Sequence, residues 1–159
     1  MSAKLNFKVV SLSEVPLNGQ TDIVGRRHSV VLVVDDERVI ADTLSIILSK
    51  SGYKALTAYD GVGALEAARN IRPDLLITDV VMPGMTGIEL AMTLRQTVPE
   101  CRVLLFSGQA ATVDLLERAR EAGHDFTILT KPVPPHDMLR QVSACLSMSE
   151  GSITDRCSL

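Results

Sequence analysis

Apolar and polar positions divide the chain into short aliphatic runs alternating with longer amphipathic stretches. Residues 30–34 (VVLVV) are a continuous aliphatic run that stops at Asp35-Asp36. The stretch that follows, ERVIADTLSIILSKSG, places Val39, Ile40, Leu44, Ile47 and Leu48 at helical spacing and ends at Gly52, which predicts an amphipathic helix. A short strand is expected at 54–58. A helix at 61–70 follows, with Leu65, Ala68 and Ile71 on one side, and Pro73 closes it. Residues 75–78 (LLIT) form a second buried-type run and end at Asp79.

The alternation continues to the end of the pattern. MPGMTG is a loop, and residues 87–98 form a helix with Ile88, Ala91, Met92 and Arg95 on successive turns, stopped by Pro99. Residues 102–106 (RVLLF) are a strand ending at Ser107-Gly108, and 112–122 a helix stopped by Gly123. The last strand, 126–130 (FTILT), ends at Lys131-Pro132. A final helix at 135–146 carries Met138, Leu139, Val142 and Cys145. Strands alternating with helices in this way predict an α/β fold, a doubly wound parallel sheet with right-handed crossovers. The runs VVLVV and LLIT are apolar throughout, as strands buried on both faces should be. No internal repeat is evident beyond the period itself.

The pattern fails at both ends. Leu5, Phe7 and Val9 alternate like a short strand, but Pro16, Asn18-Gly19 and Gly25 then interrupt every period. The final stretch is Ser-rich and has little to bury. The expected organisation is an N-terminal tail at 1–28, one domain at 29–147 and a C-terminal tail at 148–159.

Composition narrows the function classes. With 16 Lys and Arg against 19 Asp and Glu, the net charge of −3 gives no electrostatic reason to expect nucleic acid or an anionic membrane as the main partner. Three Phe, two Tyr and no Trp leave the core to aliphatic side chains and offer no stacking platform for single strands. No apolar run approaches the ~20 residues of a membrane helix, and the first residues lack a signal-peptide core. Cys101, Cys145 and Cys157 are too few and too far apart for a disulfide framework or a paired-cysteine metal site, which suggests reduced thiols in a cytoplasmic protein. His28, His124 and His136 are isolated along the chain, which argues against a metal role for any of them.

The informative residues are those that follow the strands: Asp35 and Asp36 after the first, Asp79 after the third, Ser107 after the fourth and Lys131 after the fifth. Open α/β sheets bind ligands outside the carboxyl ends of their strands, so three carboxylates, a hydroxyl and an ammonium should converge. Crowded carboxylates repel, and a hard cation such as Mg²⁺ relieves that repulsion through oxygen ligands. Such a set suits transfer of a phosphoryl group to a carboxylate nucleophile, with Lys131 and Ser107 bonding phosphoryl oxygens. No GxxxxGK[ST] and no GxGxxG after a strand is present, which disfavours nucleotide binding. Taken singly, each residue has an ordinary use: helix capping for Asp35 and Asp36, turn formation for Asp79 and Ser107, a solvated charge for Lys131. Their joint placement is what points to a site. Met82, Met85 and Met92 are packing residues, and Arg26-Arg27-His28 is a solvated face.

At these residues the chain resembles the receiver domain of two-component response regulators. The matching segments are VVDDE (33–37), TDVVMPGMTGIEL (78–90), LLFSG (104–108) and TKP (130–132), in the family's order and spacing, over about residues 29–147. The resemblance implies a flavodoxin-like (βα)5 fold with strand order 2-1-3-4-5. It implies Asp79 as phosphoacceptor, Ser107 as switch hydroxyl and Lys131 as the phosphate-pairing cation. It implies Mg²⁺ held by Asp36 directly, by Asp35 mainly through water, by Asp79 and by the Val81 carbonyl, and a cis bond before Pro132. It also implies that Val81 and Gln109, each two residues beyond a site residue, tune the lifetime of the phosphoryl group.

One departure stands out. Receivers usually carry Tyr or Phe three residues before the lysine, where this chain has Ile128, and the segment GHDFTILTKP is one residue longer than usual. A bulge in the last strand would let Phe126 take that place. The implied function is a stand-alone phosphoaccepting receiver, not an enzyme beyond its own phosphorylation and dephosphorylation. A sensor histidine kinase or phosphotransfer protein would supply the phosphoryl group. Output would pass through a protein target, a homodimer or onward phosphotransfer, without direct contact to nucleic acid or membrane. Two alternatives belong to other classes. A Mg²⁺-dependent phosphohydrolase of the haloacid-dehalogenase kind would carry a second Asp where Val81 stands, and an unphosphorylated interaction module would have no need of the full acidic set.

Overall fold

The computed structural model describes residues 27–108 and 112–147. The strand reading at Leu5–Val9, the tail at 148–159 and the role suggested for Gln109 lie outside the described residues. Each aliphatic run is a strand: β1 (Val30–Val34), β2 (Lys54–Ala58), β3 (Leu75–Asp79), β4 (Arg102–Ser107) and β5 (Thr127–Thr130). Between and after them lie α1 (Arg38–Lys50), α2 (Gly61–Ile71), α3 (Gly87–Thr97), α4 (Thr112–Glu121) and α5 (Pro135–Ser147). All paired strands are parallel, and the sheet order is β2-β1-β3-β4-β5, the flavodoxin-like order.

Side chains alternate across a strand, so each strand supplies two cores. Val31, Val33, Leu75, Ile77, Leu104 and Phe106 pack with Ala41 and Leu48 of α1 and with Met138, Val142 and Cys145 of α5. Leu32, Val34, Leu76, Val103 and Leu105 pack on the other face with Ala64 and Ala68 of α2, Leu90, Ala91 and Leu94 of α3, and Ala119 of α4. Each fully buried aliphatic side chain contributes roughly 1.5–3 kcal/mol relative to exposure.

The helix faces differ in detail from the sequence pattern. In α1 the deepest positions are Ala41 and Leu48, whereas Val39 is 77% exposed. In α3, Leu90 and Leu94 are fully buried while Met92 and Arg95 are half-buried. Small residues such as Ala41, Ala64 and Ala91 let the helix backbone approach the sheet closely, so bulkier neighbours are rotated to the flanks. The starts of α2 and α3 are fixed by side chains. The Gly63 amide donates to Asp60 Oδ1 at 2.6 Å to cap α2, and Thr86 and Glu89 form a reciprocal capping box at α3.

The β4–β5 register settles where Ile128 and Phe126 sit. Pairing advances residue by residue from Leu104–Thr127 to Ser107–Thr130, with no bulge. Ile128 therefore lies opposite Leu105. Phe126 precedes the strand rather than opening it. Its ring stacks on His124 at 5.8 Å, and the Arg95 guanidinium lies 5.0 Å from its centroid. Among the described residues no helix is long and apolar enough to cross a membrane.

Candidate functional site

In this strand order the chain leaves β1 on one side and returns to β3 on the other, which opens a crevice at the carboxyl edge between β1 and β3. Asp35 and Asp36 follow β1, and Asp79 is the last residue of β3. A carboxylate oxygen from each of the three lies within 4.8 Å of the others. Asp35 is buried, Asp79 half-buried and Asp36 exposed. Lys131, just past β5, reaches back across β4 to place Nζ 3.0 Å from Asp79 Oδ1 and 3.5 Å from Asp35 Oδ2. The crevice thus holds three carboxylates and one ammonium.

Backbone bonds hold this set in place. The Glu37 amide donates to Asp35 Oδ1 at 2.9 Å, so the start of α1 orients that carboxylate. The Lys131 amide donates to the Ser107 carbonyl at 2.9 Å, and the Lys131–Pro132 bond is cis. Ser107, the last residue of β4, is buried one strand away from Asp79, and this backbone bond ties its position to that of Lys131. Val81 lies two residues beyond Asp79 and is 45% exposed.

The electrostatics follow from the crowding. Burial raises the Asp79 pKa above the ordinary carboxylate value, Asp35 and Asp36 add to the rise, and the opposing bond and charge of Lys131 do not cancel it. Burial alone would lower Lys131, but its hydrogen bond to Asp79 and the charges of Asp79 and Asp35 leave it above its ordinary value. An ionised Asp79 is therefore undercompensated by protein charge. All three donors are hard oxygens, so the set fits a hard divalent cation. Among the described residues no thiol belongs to it. Cys101 stands before β4 at the opposite edge of the sheet, its pKa pushed up to about 12 by burial and then by Asp74.

Two residues near the crevice escaped the sequence reading. Thr78 is fully buried, and its hydroxyl donates to the Asp79 carbonyl at 3.0 Å. Gly87 opens α3 against that same carbonyl. The available signals were a lone hydroxyl in an aliphatic run and a glycine at a helix start, both common elsewhere.

Residues 31–143 match the profile of the response regulator receiver domain. The chain belongs to that family. It is 37% identical over 116 residues to a probable transcriptional regulatory protein, TcrX of Mycobacterium tuberculosis, covering 73% of this chain and 49% of the relative. It is 36% identical over 120 residues to the alkaline phosphatase synthesis transcriptional regulatory protein PhoP of Bacillus subtilis, covering 76% of this chain and 49% of that one. This receiver chain thus spans about half the length of the curated relatives it matches. Among solved structures it resembles the chemotaxis protein CheY4 of Vibrio cholerae, with a TM-score of 0.68, 30% identity, and coverage of 76% of this chain and 100% of that one. A CheY-like receiver protein from Methanospirillum hungatei gives a TM-score of 0.69 at 28% identity, covering 76% and 94%.

Proposed function

We propose that this receiver accepts a phosphoryl group on Asp79, in a Mg²⁺-dependent reaction, from a histidine kinase or a phosphotransfer protein. The observation that carries the reading is the contact of Lys131 Nζ with Asp79 Oδ1, at 3.0 Å, inside a cluster of three carboxylates. A carboxylate placed beside one cation and two further acids is poised both to attack a phosphorus atom and to share a divalent ion.

The metal would be held by Asp36, Asp79 and the carbonyl of Val81, with Asp35 acting mainly through water. Both oxygens of Asp35 already have partners, the Glu37 amide and Lys131, whereas Asp36 is exposed. Bound there, the ion supplies charge neutralisation for the phosphoryl oxygens. Asp79 supplies the nucleophilic oxygen: the phosphorus–nitrogen bond of a phosphohistidine breaks, a phosphorus–oxygen bond to Asp79 forms, and the leaving imidazole takes up a proton. Lys131 moves from pairing with the Asp79 carboxylate to pairing with a phosphoryl oxygen, and the Ser107 hydroxyl donates to another. The domain is proposed to span residues 29–147, to act in the cytoplasm, and to pass its signal to a protein target. Catalysis is limited to its own phosphorylation and dephosphorylation.

The site can be mapped chemically. After incubation with phosphoramidate and Mg²⁺, borohydride reduction converts an aspartyl phosphate to homoserine. Homoserine is expected at residue 79, and homoserine at another carboxylate, or none, contradicts the reading.

A further inference from the structure

We infer that Thr78 and Gly87 are positioning residues that together clamp the Asp79 backbone carbonyl, Thr78 by the hydrogen bond of a buried hydroxyl and Gly87 by the close approach of the first residue of α3. This rests on Asp79 being the phosphoacceptor.

Thr78 is the polar exception in the β3 run, and it is 0% exposed. A buried hydroxyl must find a partner inside the protein, and this one donates to the Asp79 carbonyl at 3.0 Å. The bond falls where the chain leaves the sheet. The Val80 amide still pairs with the Phe106 carbonyl at 3.0 Å, and beyond that β3 has no further ladder bond to steady it. Gly87 approaches the same carbonyl oxygen beside the hydroxyl, and its amide donates to the Val80 carbonyl at 2.8 Å. A Cβ at position 87 would lie 2.0 Å from the Asp79 carbonyl oxygen and 3.0 Å from Thr78 Oγ1. Glycine is required there by close approach of two backbone segments, not by its dihedral angles.

The clamp bears on the chemistry because the Asp79 side chain and the Val81 carbonyl both leave from the backbone it fixes. Rotating the peptide after Asp79 would swing the carboxylate relative to Lys131, 3.0 Å away, and would re-aim the backbone at Val81. Reacting groups lose rate steeply when misplaced by as little as about 1 Å. The capping box of Thr86 and Glu89 holds the start of α3 rigid, so Gly87 presents a fixed wall to the carbonyl. Neither Thr78 nor Gly87 is among the groups proposed to meet the phosphoryl group or the metal. Both act through Asp79.

The test compares Thr78→Val, which keeps the shape and removes the hydroxyl, with Thr78→Ser, which keeps the hydroxyl. Phosphorylation rates with phosphoramidate and Mg²⁺ are followed by intact mass, and amide shifts of residues 79–81 are recorded by NMR without metal. Thr78→Val is expected to remain folded by far-UV circular dichroism, to shift the Val80 amide, and to slow the maximal rate about tenfold. Its half-saturating phosphodonor concentration should change little. Thr78→Ser should retain the rate within about twofold and leave the Val80 amide near its original position. Gly87→Ala should slow phosphorylation at least as much as Thr78→Val, and if it fails to fold, the threonine pair still decides. A wild-type rate in folded Thr78→Val, or equal loss in Thr78→Ser, overturns the clamp. Asp79→Asn is run in parallel: undiminished labelling there would overturn the choice of phosphoacceptor itself, a distinct failure.

Discussion

Asp35 and Asp36 are adjacent in sequence, yet one is buried and bonded while the other is exposed. That contrast separates their roles. Removing the Asp36 carboxylate takes one negative charge out of a crowded set without leaving a buried partner unpaired. Asp36→Ala is therefore expected to weaken Mg²⁺ binding at least tenfold in calorimetric titration. Its metal-free melting temperature should hold or rise. A drop of many degrees would mean that the carboxylate is structural. Asp79 and Lys131 give the metal-free protein a pH dependence whose sign follows from their shifts. Both are raised in the folded state. The Asp79 contribution is full below the unfolded value, 3.8, and is lost as pH rises through the higher folded value. The Lys131 contribution is full below 10.5 and is lost above it. In EDTA, Asp79→Asn should flatten the fall in melting temperature from acid to neutral pH. An equally steep fall in that variant would assign the effect to other carboxylates.

At the scale of elements, strands were more legible than helix faces. A parallel strand buried on both sides is apolar at every position, so VVLVV and LLIT announce themselves and their ends mark the site. A helix buries whichever stripe the sheet and its neighbours leave room for, which is why Ala41 and Leu94 are fully buried while Val39 and Met92 are not. Leu94→Ala should cost about 2–5 kcal/mol in urea unfolding, and Met92→Ala clearly less; the reverse ranking would contradict the packing of α3. The same limit hid the contact of Gly87 with Asp79, since two segments separated along the chain announce no approach of their backbones. The place of Phe126 depended on register, which the sequence left open. The register places Ile128, not Phe126, opposite Leu105. The signal should travel through Ser107 and the segment beyond it. Beryllofluoride with Mg²⁺, a mimic of the phosphoryl group, should change amide hydrogen exchange at 79–87 and 107–122. Ser107→Ala should suppress the second set and spare the first, and persistence of both would place the coupling elsewhere.

For the whole molecule, the sheet order brings chemistry-bearing residues from four strand ends to one edge, while two aliphatic cores hold the strands that carry them. The acidic set was legible because each member stands at or just past the end of a strand; the distances and burial that distinguish its members came only with the fold. The most direct test of Asp79 as phosphoacceptor is intact mass after incubation with phosphoramidate, with Mg²⁺ or with EDTA, for the wild type and Asp79→Asn. One added phosphoryl group, about 80 Da, is expected in the wild type with Mg²⁺ alone. The same gain in Asp79→Asn, or in EDTA, would contradict it.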